Sequence, residues 1–200
     1  MQNLFLIDFE DSFTLNIYSE LTEIGLLPKL VDASAAKEVL EELVTTKEKT
    51  VVILGPGPGH PDERSHLQET LKKLMINKRV FIMGICLGHQ LIASALGLEV
   101  SRSKRPSHGE SEKYQLSPSL AIILKFSGKT FMAQRYNSLV AKIKAGDIQR
   151  LKEREIECLE KDGESFIFSA DGLLTYQFHP ESVGTSFRSR FFLPVKNFLL

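Results

Sequence analysis

Residues 79–96 read RVFIMGICLGHQLIASAL, and the fold turns on them. An apolar run at 79–84 passes without a linker into helical spacing at 86–96, through Gly84-Ile85-Cys86-Leu87-Gly88. A strand that turns straight into a helix forces one residue into strained backbone angles, and its neighbours two positions away on each side must be small. Gly84 and Gly88 flank Cys86 in that way. Working outward, the runs at 3–8 (NLFLID), 28–32 (PKLVD) and 50–54 (TVVIL) predict three more short strands. Amphipathic stretches lie between them. One is capped by Asp11 or Ser12 and runs to about Ile24 before Gly25; others cover about 35–44 and about 62–76. Strands and helices alternating at this rhythm predict an α/β fold with right-handed crossovers, a mostly parallel sheet and helices on both faces. The early strands are apolar nearly throughout, as a sheet covered on both sides requires.

After Gly97 the rhythm changes. Residues 101–111 (SRSKRPSHGES) are polar and turn-rich, while 120–126 and 130–134 read as strands. Residues 156–159 and 165–170 flank Asp162-Gly163, a hairpin signal. Residues 173–178 (LLTYQF) predict a last buried strand, and 187–200 a closing helix interrupted by Pro194. No linker or repeat divides the chain, so residues 1–200 are expected to form a single domain with a small antiparallel addition in the second half. A chain of 200 residues buries roughly 70% of its unfolded surface and needs no staples.

Composition excludes several classes. Twenty-five basic residues against 25 acidic leave no net charge, which argues against nucleic acid or an anionic membrane as a partner. Cys86 and Cys158 form no disulfide framework, the opening residues lack the basic start of a signal peptide, and no apolar run is long enough to span a bilayer. A cytoplasmic protein is expected. His60, His66, His89 and His108 show no metal-ligand spacing, so neither metal nor cofactor is expected. Cys158 reads as a packing residue, and Arg102, Lys104 and Arg105 as a solvated loop or a partner-facing patch.

The chemistry gathers around Cys86. The elbow lifts its sulfur clear of the sheet and leaves it at a helix N-terminus, where partial positive charge favours thiolate. The Leu87 amide then points at an oxyanion formed on a substrate carbonyl. The alternative is a buried structural cysteine before a helix that merely needs glycines. A thiolate also needs a base, and Phe178-His179-Pro180-Glu181-Ser182 directly follows the last predicted strand. Residues two apart in extended chain share a side, so Glu181 reaches His179 and fixes its tautomer. Cys86 and His179 both lie beyond carboxyl ends of strands, where sites of parallel sheets collect. Gly55-Pro56-Gly57-Pro58-Gly59 follows the third strand. It lacks the dinucleotide spacing, and its rigidity beside an elbow favours an oxyanion or substrate wall.

Together, Gly84-Ile85-Cys86-Leu87-Gly88-His89-Gln90, Gln177-Phe178-His179-Pro180-Glu181-Ser182 and the Gly/Pro loop resemble the class I, triad-type glutamine amidotransferases. Ile7-Asp8, Asp11-Ser12-Phe13-Thr14 and Asn16 resemble the opening of the small subunits (component II) serving anthranilate synthase and aminodeoxychorismate synthase. The resemblance covers essentially the whole chain. It implies a flavodoxin-like sheet, hydrolysis of L-glutamine, and delivery of ammonia to a separate chorismate-using synthase subunit of tryptophan or folate synthesis. By position it makes Cys86 the nucleophile, with His179 and Glu181 completing the triad. It gives Gly57 and Leu87 the oxyanion amides, with Pro58 and Gly59 in the same substrate loop. Gln90 and the Ser138-Leu139 backbone would hold the amino-acid end of glutamine. Phe9, Glu10 and Leu15 replace the usual Asn, Tyr and Tyr of the opening; Glu110 stands for a usual Lys, and Asn137 for a common His. A different cysteine hydrolase, or a non-catalytic binding subunit that keeps the fold, are the competing readings.

Overall fold

A computed structural model describes residues 3–128 and 130–200. In the first half, β1 (Leu4–Asp8), α1 (Thr14–Glu23), β2 (Lys29–Asp32), α2 (Ala36–Leu43), β3 (Thr50–Leu54), α3 (Gln68–Ile76), β4 (Val80–Ile85) and α4 (Leu87–Ala95) alternate strictly. The second half runs β5 (Val100–Arg102), β6 (Glu110–Gln115), α5 (Pro118–Ile123), β7 (Thr130–Arg135), β8 (Leu139–Ala141), α6 (Asp147–Glu153), β9 (Glu157–Lys161), β10 (Glu164–Ala170), β11 (Leu173–Tyr176) and α7 (Leu193–Leu199). Among the described residues, seven strands form one sheet in the order β2-β1-β3-β4-β11-β10-β9. The first five are parallel, and β10 and β9 add antiparallel. Strands β5 and β8 form one antiparallel pair, β6 and β7 another.

The apolar runs explain the two-sided core. Val51 and Ile53 of β3, with Phe81, Met83 and Ile85 of β4, pack against Ile17 and Leu21 of α1 and Val195 of α7. Their alternates Val52, Leu54, Val80 and Ile82 pack against Leu40, Leu71 and Leu91 of α2, α3 and α4. Side chains of a strand point to opposite faces in turn, so only a continuous apolar run fills both. Each such fully buried side chain contributes about 1.5–3 kcal/mol.

The structure corrects the sequence reading at several points. Residues 120–126 read as a strand, yet Pro118–Ile123 is a helix. Ser117 Oγ accepts from the Leu120 amide at 3.1 Å and Pro118 fills the first turn, which together start a helix. Leu120 and Leu124, four apart, are buried while Ile122 is exposed. Pro194 does not interrupt the closing helix; it sits in the first turn of α7, after a 3-10 turn at Arg188–Phe192. The 62–76 helix is divided, with a 3-10 segment at Pro61–Leu67 before α3. Neither Asp11 nor Ser12 caps α1. Asp11 Oδ1 takes the Phe13 amide at 2.9 Å, and Asp8 Oδ1 takes the Thr14 hydroxyl at 2.8 Å. The Asp162-Gly163 hairpin joins β9 to β10 with φ of 57° and 77°, the left-handed pair that such a turn needs.

Candidate active site

The register of β4 and β11 builds the site. Ile85 pairs with Tyr176, and the Cys86 amide donates to the Tyr176 carbonyl at 2.8 Å, so the chain beyond β11 emerges beside the elbow. Cys86 has φ 52° and ψ −99° and stands immediately before α4. That strain is held by close packing. A Cβ on Gly88 would lie 2.1 Å from the Leu54 carbonyl oxygen, and one on Gly84 2.7 Å from the Gly88 backbone. The small neighbours are therefore compulsory. Cys86 is buried to 7% exposure.

The turn after β11 is tied to β7. His179 forms an isolated bridge with Gln134, its amide donating to the Gln134 carbonyl at 3.0 Å. The Thr185 hydroxyl donates to the His179 carbonyl at 2.7 Å, and Gln134 Oε1 accepts from the Gly184 amide at 3.0 Å and from the Ser182 hydroxyl. The rings of Phe13 and Tyr136 close on the imidazole, with centroids at 4.9 Å and 5.1 Å.

Nδ1 of His179 lies 2.7 Å from Glu181 Oε1, and Glu181 Oε2 is buried without a hydrogen-bond partner. Burial alone would disfavour the imidazolium. The Glu181 carboxylate and the Cys86 sulfur outweigh it electrostatically and hold His179 well above its ordinary value. With Nδ1 committed to Glu181, Nε2 is left for proton exchange with the sulfur.

Cys86, His179 and Glu181 are thus brought together. The 55–59 loop lies against them: Gly88 N–H donates to the Gly55 carbonyl at 3.2 Å, and a Cβ on Gly57 would fall 2.5 Å from Phe9 Cβ and 2.9 Å from Leu87 Cδ2. Arg64 donates to the Pro58 carbonyl at 3.2 Å, and Gly59, at φ 86°, packs on the Glu63 carboxylate. Gln90 Nε2 donates to the Leu139 carbonyl at 2.9 Å, while the neighbouring Ser138 is exposed and its carbonyl accepts from the Ser103 amide. Among the residues that depart from the resemblance, Asn137 is buried, accepting from Arg135 Nε at 3.1 Å and donating to the Leu139 carbonyl at 2.9 Å. Phe9 fills space beside Gly57; Glu10 (φ 67°), Leu15 and Glu110 face outward.

Gln134, Phe13 and Gln177 touch the site, and the sequence reading gives none of them a role in it. Gln177 is findable, because it precedes His179 by two positions, the same spacing that places Glu181. Cys158 lies in β9, partly buried against the core. Among the described residues, no cluster of three or more His, Cys, Asp or Glu is placed to hold a metal ion, and no helix is long and apolar enough to cross a membrane.

A family model described as Glutamine amidotransferase class-I matches residues 5–198. The chain is 30% identical over 183 residues to an anthranilate synthase component 2 of Helicobacter pylori, covering 91% of this chain and 90% of that protein. It is 32% identical to the aminodeoxychorismate/anthranilate synthase component 2 of Bacillus subtilis, covering 92% and 90%. A crystal structure of a glutamine amidotransferase from Thermotoga maritima superposes with a TM-score of 0.62 at 17% identity, over 98% of this chain and 84% of that one. The likeness to that last structure concerns the fold.

Proposed function

The chain belongs to the class I glutamine amidotransferases, and on that premise we propose that it hydrolyses L-glutamine through Cys86, His179 and Glu181 and passes the ammonia to a chorismate-using synthase subunit. The observation that carries this reading is a cysteine strained at a strand-to-helix elbow, beside the strand end that leads to an imidazole whose Nδ1 is 2.7 Å from a buried carboxylate. The Cys86 proton passes to His179 Nε2, and the thiolate attacks the carbon of the side-chain carboxamide. The tetrahedral oxyanion rests on the Gly57 and Leu87 amides, donors of a kind whose single loss costs on the order of 100- to 1000-fold in rate. Collapse breaks the carbon–nitrogen bond as His179 returns the proton to the departing ammonia, leaving a glutamyl thioester. His179 then takes a proton from water, hydroxide adds to the thioester, and glutamate leaves as Cys86 is restored. Gln90 and the Ser138-Leu139 backbone hold the amino-acid end of the substrate, with Pro58 and Gly59 walling the same pocket.

The relatives named component 2 support a separate synthase subunit as the place of the chorismate chemistry. The relatives named anthranilate synthase component 2 support anthranilate as the product of that complex, and the double name of the Bacillus relative supports aminodeoxychorismate as a second product. Co-purification of the synthase partner, followed by identification of the aromatic product, separates the two. Cys86→Ser is expected to abolish glutamine-dependent synthesis while the complex still uses free ammonium; loss of both in an assembled complex would refute the division of labour. Cys86 at 7% exposure, with His179 closed in by Phe13 and Tyr136, supports low turnover alone and activation on docking. Equal turnover with and without the synthase would count against that.

A further inference from the structure

We propose that Gln177 is a further catalytic residue of this site, its side-chain N–H donating to Cys86 Sγ and stabilising the thiolate that attacks. The proposal rests on Cys86 being the nucleophile. Gln177 follows β11 by one residue and Cys86 follows β4 by one, so the parallel pairing of Tyr176 with Ile85 sets the two side by side. The Gln177 amide donates to the Phe166 carbonyl at 2.9 Å, which fixes the backbone. Its side chain is fully buried, with Nε2 3.8 Å from Cys86 Sγ, within reach for a hydrogen bond to sulfur.

Which end of the Gln177 amide faces the sulfur follows from a chain of partners. The Leu139 carbonyl can only accept, so it draws the NH2 of Gln90 toward itself at 2.9 Å. That same NH2 donates to Gln177 Oε1 at 3.2 Å. Turning the Gln177 amide over would set its NH2 against that of Gln90 with no acceptor between them. The carbonyl of Gln177 is therefore held on Gln90, and its N–H on the sulfur. A backbone carbonyl in the proposed glutamine pocket thereby orients a donor at the nucleophile through two side-chain amides. Hydrogen bonds that form to the charged state favour it, and a buried donor does so without reorganisation.

The test is the rate at which iodoacetamide alkylates Cys86 in the full-length folded chain, followed by peptide mass mapping across pH 6–10. Cys158 is the internal reference, its thiol pushed up to about 12 by burial and by Glu160 and Glu157. Gln177→Met keeps the length and removes both amide functions. Gln177→Glu keeps the shape and the acceptor for Gln90, and serves if the first variant fails to fold. In folded Gln177→Met the alkylation rate at pH 7 is expected to fall about tenfold, the loss of one hydrogen bond to an ionised group, and in Gln177→Glu by more, because a carboxylate then faces the sulfur; in both the gap is expected to close toward pH 10. General damage to the site would instead shift the rate at every pH. An unchanged rate at pH 7, or a loss that persists undiminished at pH 10, overturns the role of Gln177. Because alkylation needs no turnover, that failure is separate from failure of the parent reading, which glutamine hydrolysis surviving Cys86→Ser would reveal.

Discussion

His89 and His179 belong to the two motifs that meet at the site, both are buried, and their surroundings drive them in opposite directions. The ring nitrogens of His89 meet the hydroxyls of Thr175 and Ser165 at 2.8 Å and 2.9 Å, and its face stacks on Phe168 with centroids 4.7 Å apart. Hydroxyls donate or accept as required, so the neutral ring is satisfied with no carboxylate bonded to it, and burial drives its pKa to about 3. His179 meets the same loss of water, but a carboxylate sits at hydrogen-bond distance on one side and the sulfur lies on the other, and its pKa rises. Burial alone does not make a histidine inert. The charge of its nearest partner decides whether the ring becomes a packing element or a proton carrier.

The contrast is broken most severely at His179 itself. His179→Ala is expected to lower glutamine hydrolysis by about 10⁴-fold or more, as in other triads, while His89→Gln keeps most of the activity; glutamate release measures both. Equal losses would erase the distinction. Glu181→Gln comes next, with a loss approaching roughly 10⁴-fold. It gives His179 a neutral partner like those of His89, so its imidazole resonances should titrate at lower pH than in the unaltered protein.

The third effect is on stability. Between the ordinary value of 6.5 and about 3, the unfolded chain binds a proton at His89 that the folded chain refuses. The contribution of His89 is therefore full above pH 6.5 and is lost at about 1.4 kcal/mol per pH unit as the pH falls toward 3. His179 carries the opposite sign: its contribution is full below pH 6.5 and is lost as the pH rises through its raised folded value. In urea titrations, His89→Gln should flatten the acid limb by that slope, and an unchanged slope would contradict the neutral buried ring. The smallest effect is that of Thr175→Val, which strips a hydroxyl from His89 Nδ1 and should cost about 1–2 kcal/mol of stability with glutaminase activity retained.

The parts of the molecule legible in the sequence are those where one local rule decides the outcome. Apolar runs mark β1, β3 and β4, and Gly84 and Gly88 mark the elbow because no side chain fits there. The spacing of two puts Glu181 on His179. Residues 120–126 mislead because Leu-Ala-Ile-Ile-Leu is apolar at both periods, while the deciding signal, Ser117-Pro118, lies just upstream. Helix α6 leaves almost no periodic pattern in the sequence, because only Leu151 in it is buried. Contacts made between distant stretches, such as Gln134 on the His179 turn or Gln90 on Gln177, follow from tertiary register and have no local signature.

Everything proposed for the reaction requires the sulfur of Cys86 to take up the glutamyl group. Treatment with an electrophilic glutamine analogue, followed by peptide mass mapping, tests this most directly. The expected result is one label per chain, on Cys86, suppressed by excess glutamine, with Cys158 unmodified. A label confined to Cys158, or one on Cys86 that glutamine does not suppress, would contradict it.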